Sequence, residues 1–291
     1  MEDEYYIEKG GRFVAVFDGH GGNAVSAALR DKLHLKVNHF KKIEREKEIQ
    51  SKGDSSLSSS IESPLSITSY TTAIRNAFNE MDEEILMNEN MCLQGSTAVA
   101  VFLHDGENEE RTLISANVGD SRAILSRRKQ AIDLTRDHKP NEKEEKARII
   151  EMGEEVLWDH YSKVYRVRGL SLSRAMGDKA AKPAVSGEVE IKSIPLLKGY
   201  NDEFIVLASD GLWDVMSSQE VVDFVHKTLD APLRGKVPLY QLSRRDLNRL
   251  EKERRRKMGR SIASKAYTMG SLDNICVVVV WLNHLEAISE K

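Results

Sequence analysis

Apolar positions along the chain follow two periods. Phe13–Phe17 is a continuous apolar run that stops at Asp18 and turns through glycines, the pattern of a buried strand. From Asn23 to Phe40, Val25, Ala28, Leu29, Leu33, Val37 and Phe40 recur at helical spacing. A second helix is predicted where Ile74, Ala77, Phe78, Met81 and Ile85 share a face. Between them, Lys41–Ser66 is first charged and then serine-rich. It reads as a frayed helix end running into a mobile loop, and residues 41–69 are taken together as that loop.

Three closely spaced strand patterns follow, Thr97–Leu103, Thr112–Val118 and Ala123–Ser126, which implies antiparallel hairpins. A short helix ending at Gly153, weaker strands near Val164–Val167 and Val189–Ser193, and a buried strand at Glu203–Ala208 come next. Ser217 and Glu220 form a capping-box signal ahead of the apolar face Val221, Val225 and Leu229. The basic stretch Arg244–Arg260 leads to a helix over Ile262–Tyr267, and Ile275–Leu282 is the last strand. Helices in pairs and strands in hairpins argue for antiparallel sheet covered by helix layers rather than a doubly wound parallel sheet.

Composition narrows the field. The 291 residues are 40% apolar and 31% charged with a net charge of −3, so no global basic field marks nucleic acid as a partner. The longest apolar run falls short of a membrane span. Cys92 and Cys276 are too few for a disulfide framework, and the acidic start is neither a signal nor a transit peptide. A cytoplasmic or nuclear monomer is the expectation.

The chemistry is carried by acids at strand ends. Asp18 follows Phe13–Phe17, Asp120 follows Thr112–Val118, Asp210 follows Glu203–Ala208, and Asp273 precedes the last strand. Each alone reads as a turn aspartate. Together, at the ends of several strands, such carboxylates can converge on a hard divalent cation.

The motifs resemble those of the type-2C, metal-dependent serine/threonine protein phosphatases. They occur in the family's order: Met1–Asp3, Phe13–Gly22, Gly95–Val99, Asn117–Ala123, Asp137–Pro140, Leu170–Asp178, Leu207–Met216 and Gly270–Val280. The resemblance implies an α+β fold, a four-layer αββα sandwich of two antiparallel sheets between helix layers, with the whole of residues 1–291 as one catalytic domain. It implies two Mg²⁺ or Mn²⁺ ions and a weaker third. Asp18 would bridge the pair. The Gly19 carbonyl and Glu2 would serve one ion, Asp210 and Asp273 the other, and Asp3 would act through a metal-held water. Asp120 and Asp214 match the positions of the third ion. Phosphoserine and phosphothreonine proteins would be hydrolysed by direct attack of a metal-activated water, with His20 as the general acid. Thr97 reads equally as strand packing or as support of the site. Arg166 and Arg174 lie near the family's substrate flap, where they would meet phosphate or simply be solvated.

Against that pattern, the family's phosphate-binding arginine and its first strand or two have no counterpart ahead of Glu2. A frayed Glu2 and weak phosphate binding are therefore expected. Residues 231–260 read as a charged insert. Arg244–Arg260 carries nine Lys/Arg against three acids, which reads as a solvated helix face, a localisation or acidic-partner patch, or a contact for anionic membrane or nucleic acid. Two other functions stay in view: a phosphoprotein-binding scaffold with little turnover, and a two-metal hydrolase of another phosphate ester.

Overall fold

Phe13, Ala15 and Phe17 face one core while Val14 and Val16 face another, so a strand with period two is buried on both sides. That observation sets the architecture. The computed structural model describes residues 1–52, 64–106, 110–196, 201–232 and 243–282. In chain order the elements are β1 (Glu4–Ile7), β2 (Phe13–Phe17), β3 (Gly19–His20), α1 (Ala24–Lys52), α2 (Ile67–Met87), β4 (Gly95–Ser96), β5 (Ala98–Asp105), β6 (Arg111–Val118), β7 (Arg122–Arg127) and β8 (Gln130–Asp133). Next come α3 (Lys143–Glu151), β9 (Leu157–Asp159), β10 (Val164–Arg166), β11 (Met176–Gly177), β12 (Glu190–Leu196), β13 (Asp202–Ala208), α4 (Asp210–Trp213), α5 (Ser218–Asp230), α6 (Arg244–Arg256), α7 (Met258–Thr268) and β14 (Val277–Trp281).

One main sheet has the order β1-β2-β5-β6-β12 and the other β14-β13-β7-β8, and every pairing in both is antiparallel. Val14, Val16, Val99 and Val101 of the first sheet interdigitate with Leu125, Ile205, Leu207 and Val278 of the second. On the outer face of the first sheet, α1 and α2 bury Leu29, Leu33, Ile74 and Phe78. On the outer face of the second, α5 and α7 bury Val221, Val225, Met258 and Ile262. This is the predicted α+β sandwich of four layers. Among the described residues, no helix is long and apolar enough to cross a membrane.

Several boundaries differ from the sequence reading. Residues 41–52 are not loop: α1 runs on to Lys52, and Ile67–Ser69 already belong to α2. Glu44 is buried in that extension and Lys41 sits over the Tyr70 ring of α2 at 4.6 Å, so packing against α2 supports a helix whose own composition is highly charged. Residues 53–63 of the predicted loop lie outside the described residues, as do 233–242 of the basic insert. Arg244–Arg256 of the insert forms α6, capped by Ser243 and Asp246, with no buried residue, and its end from Met258 on opens α7. The acidic start forms β1, where Tyr6 packs into the first core and stacks on His34 at 4.3 Å. Its edge position leaves alternate residues exposed, which masks a strand in the sequence.

Candidate active site

The acids gather where β2, the β6–β7 turn, the β13–α4 junction and the turn before β14 meet. Asp18 is fixed through its backbone. Its N–H donates to Thr97 Oγ1 at 3.1 Å and its carbonyl accepts the Thr97 N–H at 2.8 Å. Thr97 Oγ1 also shares a hydrogen bond with Ser121 Oγ at 2.7 Å. The structure thus makes Thr97 the clamp of the Asp18 main chain. Gly119, at φ +108°, packs against the Thr97 side chain so closely that a Cβ would sit 2.7 Å from it, and the turn delivers the buried Asp120.

The Asp18 carboxyl lies within hydrogen-bonding reach of both Asp3 and Asp210. Asp3 accepts a 3.0 Å bond from Ser209 Oγ, which in turn accepts the Cys276 N–H at 2.9 Å. The other Asp3 oxygen, Oδ1, is buried without a partner. Glu2 is not frayed: its carbonyl accepts the Ser26 hydroxyl at 2.6 Å, and Gly19 packs directly against it. Asp210 opens α4, and Gly211 fits beneath the Asp273–Asn274 turn with no room for a side chain, which sets Asp273 beside Asp210. Asp214 is exposed and pairs with Lys139 at 3.3 Å.

Electrostatically the cluster is unbalanced. Burial, then Asp210, Asp3, Asp120 and Asp273, push Asp18 up to about 10. Burial and neighbouring aspartates also raise Asp3, Asp120 and Asp210. Lys139 opposes the rise at Asp120 and Asp210. Such a group of acids is a standing demand for positive charge.

His20 stands at the rim, with Nε2 2.8 Å from Asp178 Oδ2. Burial alone would lower the imidazolium's pKa, but Asp178, with smaller contributions from Asp120 and Glu2, outweighs it and raises it. Gly95 lies between the two side chains, and any Cβ there would collide with both. Arg166 and Arg174 are not brought to the cluster. Arg166 is held by Asp159 at 3.0 Å and the Gly169 carbonyl at 2.9 Å. Arg174 is buried, with Nη2 2.5 Å from Glu145 Oε1 and Nη1 3.0 Å from the Glu188 carbonyl.

A family model, Protein phosphatase 2C, matches residues 8–273 of the chain. The chain belongs to the protein phosphatase 2C family. It is 34% identical to "Probable protein phosphatase 2C 75" of Arabidopsis thaliana over 94% of its length, and spans 65% of that relative. Among solved structures it is similar to a C. elegans sex determining protein, with TM-score 0.72 and 24% identity, covering all of this chain and 64% of that one. It is also similar to the serine-threonine phosphatase 2C from Toxoplasma gondii, with TM-score 0.68 and 23% identity, covering 92% of this chain and 84% of that one. These two likenesses support the fold. The chain thus spans slightly under two thirds of the length of the Arabidopsis and nematode proteins.

Protein phosphatases 2C are metal-dependent as a family, and the donors here suit a hard divalent ion. The side chains offer only oxygen, the carboxylates repel one another, and Asp3 Oδ1 is a buried acceptor with nothing to accept from. Among the described residues, no three His, Cys, Asp or Glu side chains already stand in ligating geometry. The site as drawn is therefore the set of donors rather than a closed cage. The sequence reading of this phosphatase 2C chain missed three residues that the site uses. Asp178 closes the Leu170–Asp178 motif and Lys139 lies within Asp137–Pro140, so both were in view as motif members without a role. Ser209, next to Asp210, carried no signal beyond that adjacency.

Proposed function

We propose that the chain is a Mg²⁺- or Mn²⁺-dependent protein serine/threonine phosphatase. The observation that carries this reading is the Asp18 carboxyl set between Asp3 and Asp210, with the His20–Asp178 pair at the rim. Asp18 would serve both ions, with Glu2 and the Gly19 carbonyl completing one and Asp210 and Asp273 the other. Asp120 and Asp214, beside Lys139, would hold a weaker third ion. When bound, the ions activate water for attack on phosphorus and neutralise charge on the phosphoryl oxygens.

The chain's own residues supply the rest. Thr97 holds the Asp18 backbone, so the central carboxylate does not swing as charge changes. Ser209 orients Asp3 through one oxygen and leaves the other directed at the site. With Nε2 donating to Asp178, His20 has Nδ1–H available for the departing serine or threonine oxygen, and the Asp178 carboxylate keeps the ring protonated until then. Neither Arg166 nor Arg174 is assigned to phosphate.

The test is hydrolysis of a phosphothreonine peptide with Mg²⁺ or Mn²⁺, repeated with Asp18→Ala and Asp210→Ala. Metal-dependent turnover lost in both variants is expected. Turnover that persists in EDTA, or none in the wild type under any divalent ion, overturns the proposal.

A further inference from the structure

Asp178 reaches His20 from an unfavourable backbone. Its φ of +51° and ψ of +48° lie in the left-handed region, which an aspartate tolerates but does not prefer. Such a conformation persists only where its surroundings hold it. The small sheet β11-β4-β3 supplies part of the hold. Gly177 lies opposite Gly95, Gly95 lies opposite His20, and the Asp178 N–H donates to the Gln94 carbonyl at 3.0 Å. Each of these strands has two residues, fewer than strands usually run, so their own hold is slight.

The rest comes from α2. Asp82 is a buried acid on that helix, and none of the metal donors assigned above lies there. Its Oδ1 accepts the Gly177 N–H at 2.7 Å across 95 residues of sequence. Its Oδ2 pairs with Lys182 Nζ at 3.2 Å, and the same ammonium donates to the Ala175 carbonyl at 2.8 Å. The two side chains thus fasten the backbone on both sides of Met176. Gly187 closes over them: a Cβ there would collide with Asp82 Oδ2 and lie 2.9 Å from Lys182 Nζ. Gly177 has no slack either, since at φ +81° a Cβ would stand 2.7 Å from the Gln94 carbonyl oxygen and 3.2 Å from Ile85 of α2. A buried ion pair adds little stability over apolar groups of the same shape. What it adds here is direction, an acceptor aimed at the N–H one residue ahead of Asp178.

We propose that Asp82 is a positioning residue for proton delivery, acting through Gly177 and Asp178 on His20, with Lys182 holding its second oxygen. The inference rests on the reading of His20 as the general acid. α2 then serves the leaving-group side of the reaction, separately from the metal donors.

Two double variants carry the test, each removing both buried charges so that neither is stranded. Asp82→Asn with Lys182→Met keeps an oxygen that can accept the Gly177 N–H, and Asp82→Leu with Lys182→Met does not. On a phosphothreonine peptide with Mn²⁺, the leucine variant should lose at least about tenfold in kcat with KM unchanged, a share of the roughly 10²–10⁴-fold that a general acid supplies. Its loss on p-nitrophenyl phosphate, whose leaving group needs no proton, should be clearly smaller, and its calorimetric affinity for Mn²⁺ should be that of the wild type. The asparagine variant should recover most of the loss. Added to Asp178→Asn, the leucine variant should bring no further loss on the peptide, because it acts through Asp178. Gly187→Ala, which crowds the same carboxylate without removing it, should reproduce the split between substrates in weaker form. His20→Ala is the reference. If it slows both substrates alike, His20 is not the acid and the inference falls with that reading. If it spares p-nitrophenyl phosphate, the reading stands, and Asp82 is overturned as a positioning residue by any of three results: a leucine variant equal on both substrates or equal to the asparagine variant, a weakened Mn²⁺ affinity, or no split in Gly187→Ala.

Discussion

His20 and Asp178 are 158 residues apart in sequence and 2.8 Å apart at the rim of the site, meeting across a glycine, Gly95, that leaves no space for anything else. The pair gives the imidazole both an orientation and a reason to stay charged. Asp178→Asn keeps the shape and removes the negative charge. A general acid works only while protonated, so the alkaline limb of the pH–rate profile should move to lower pH in this variant. The loss should be larger on phosphothreonine peptide than on p-nitrophenyl phosphate, whose leaving group needs no proton. An unshifted profile would show that Asp178 only packs.

Asp18 offers a test in which stability and activity part company. Its carboxyl goes from an ordinary 3.8 to about 10 in the metal-free fold, so the native state holds a proton that the unfolded state has released. For a raised carboxyl pKa, the stabilisation is complete below the unfolded value and is lost as pH rises toward the folded one. Metal-free protein should therefore lose stability from about pH 4 upward on this account. Asp18→Asn should melt higher than wild type in EDTA at pH 8, by roughly 2–4 °C for each kcal/mol relieved, and should be inactive. A lower melting temperature in EDTA would contradict the repulsion described here.

Metal should reverse the wild-type deficit. Mg²⁺ or Mn²⁺ at a hundred times its dissociation constant should stabilise the fold by about 2.7 kcal/mol. Asp18→Asn and Asp210→Asn should lose most of that gain, which thermal melts in EDTA and in excess metal will measure.

Arg174 and Arg166 should separate cleanly. Glu145 is buried; desolvation favours its neutral form, but hydrogen bonds from Arg174, Arg148 and Ser173 hold it down to about 2. Stability from this depressed carboxyl is present above the ordinary value of 4.5 and is lost as pH falls toward 2. Arg174→Ala removes the donors to Glu145 Oε1 while Arg148 and Ser173 still hold Oε2, and should cost about 1–3 kcal/mol. Arg166→Ala, on an exposed hairpin, should leave both melting temperature and KM near wild type. A raised KM with unchanged stability in either variant would return that arginine to the phosphate.

Thr97→Val preserves volume but removes the acceptor for the Asp18 N–H. It should cost about 1–3 kcal/mol and weaken metal binding, whereas Thr97→Ser should do neither to the same degree. Urea melts and calorimetric Mn²⁺ titration distinguish them.

Much of this was legible in the chain. The acids at strand ends stood out because three of the four follow an apolar run beside a glycine and the fourth precedes one; hairpin spacing pointed to antiparallel sheet, and the family resemblance to the two-sheet sandwich. What was hidden is non-local. A strand as short and half-exposed as Glu4–Ile7 has no periodic signal of its own, and its identity comes from pairing with Phe13–Phe17. The helix past Phe40 is held by acidic and basic side chains that look like loop composition until α2 is laid beside it. Arg174 looked available for phosphate because its partner, Glu145, lies in α3, well back along the chain. The roles of Asp178 and Lys139 depend on which side chains they meet, which no spacing encodes.

The interdigitated valines and leucines between the sheets carry a consequence for the chemistry. Asp18 is attached to one sheet and Asp210 to the other, and Val14, Val16, Ile205 and Leu207 fill the space between. These aliphatic side chains act as shims: their bulk sets how far apart the two acids are held. A Val16→Ala or Ile205→Val change, remote from any reacting atom, would alter the gap across which the two proposed ions would fit, so ion preference should shift from the hydrocarbon interior without a change to either acid.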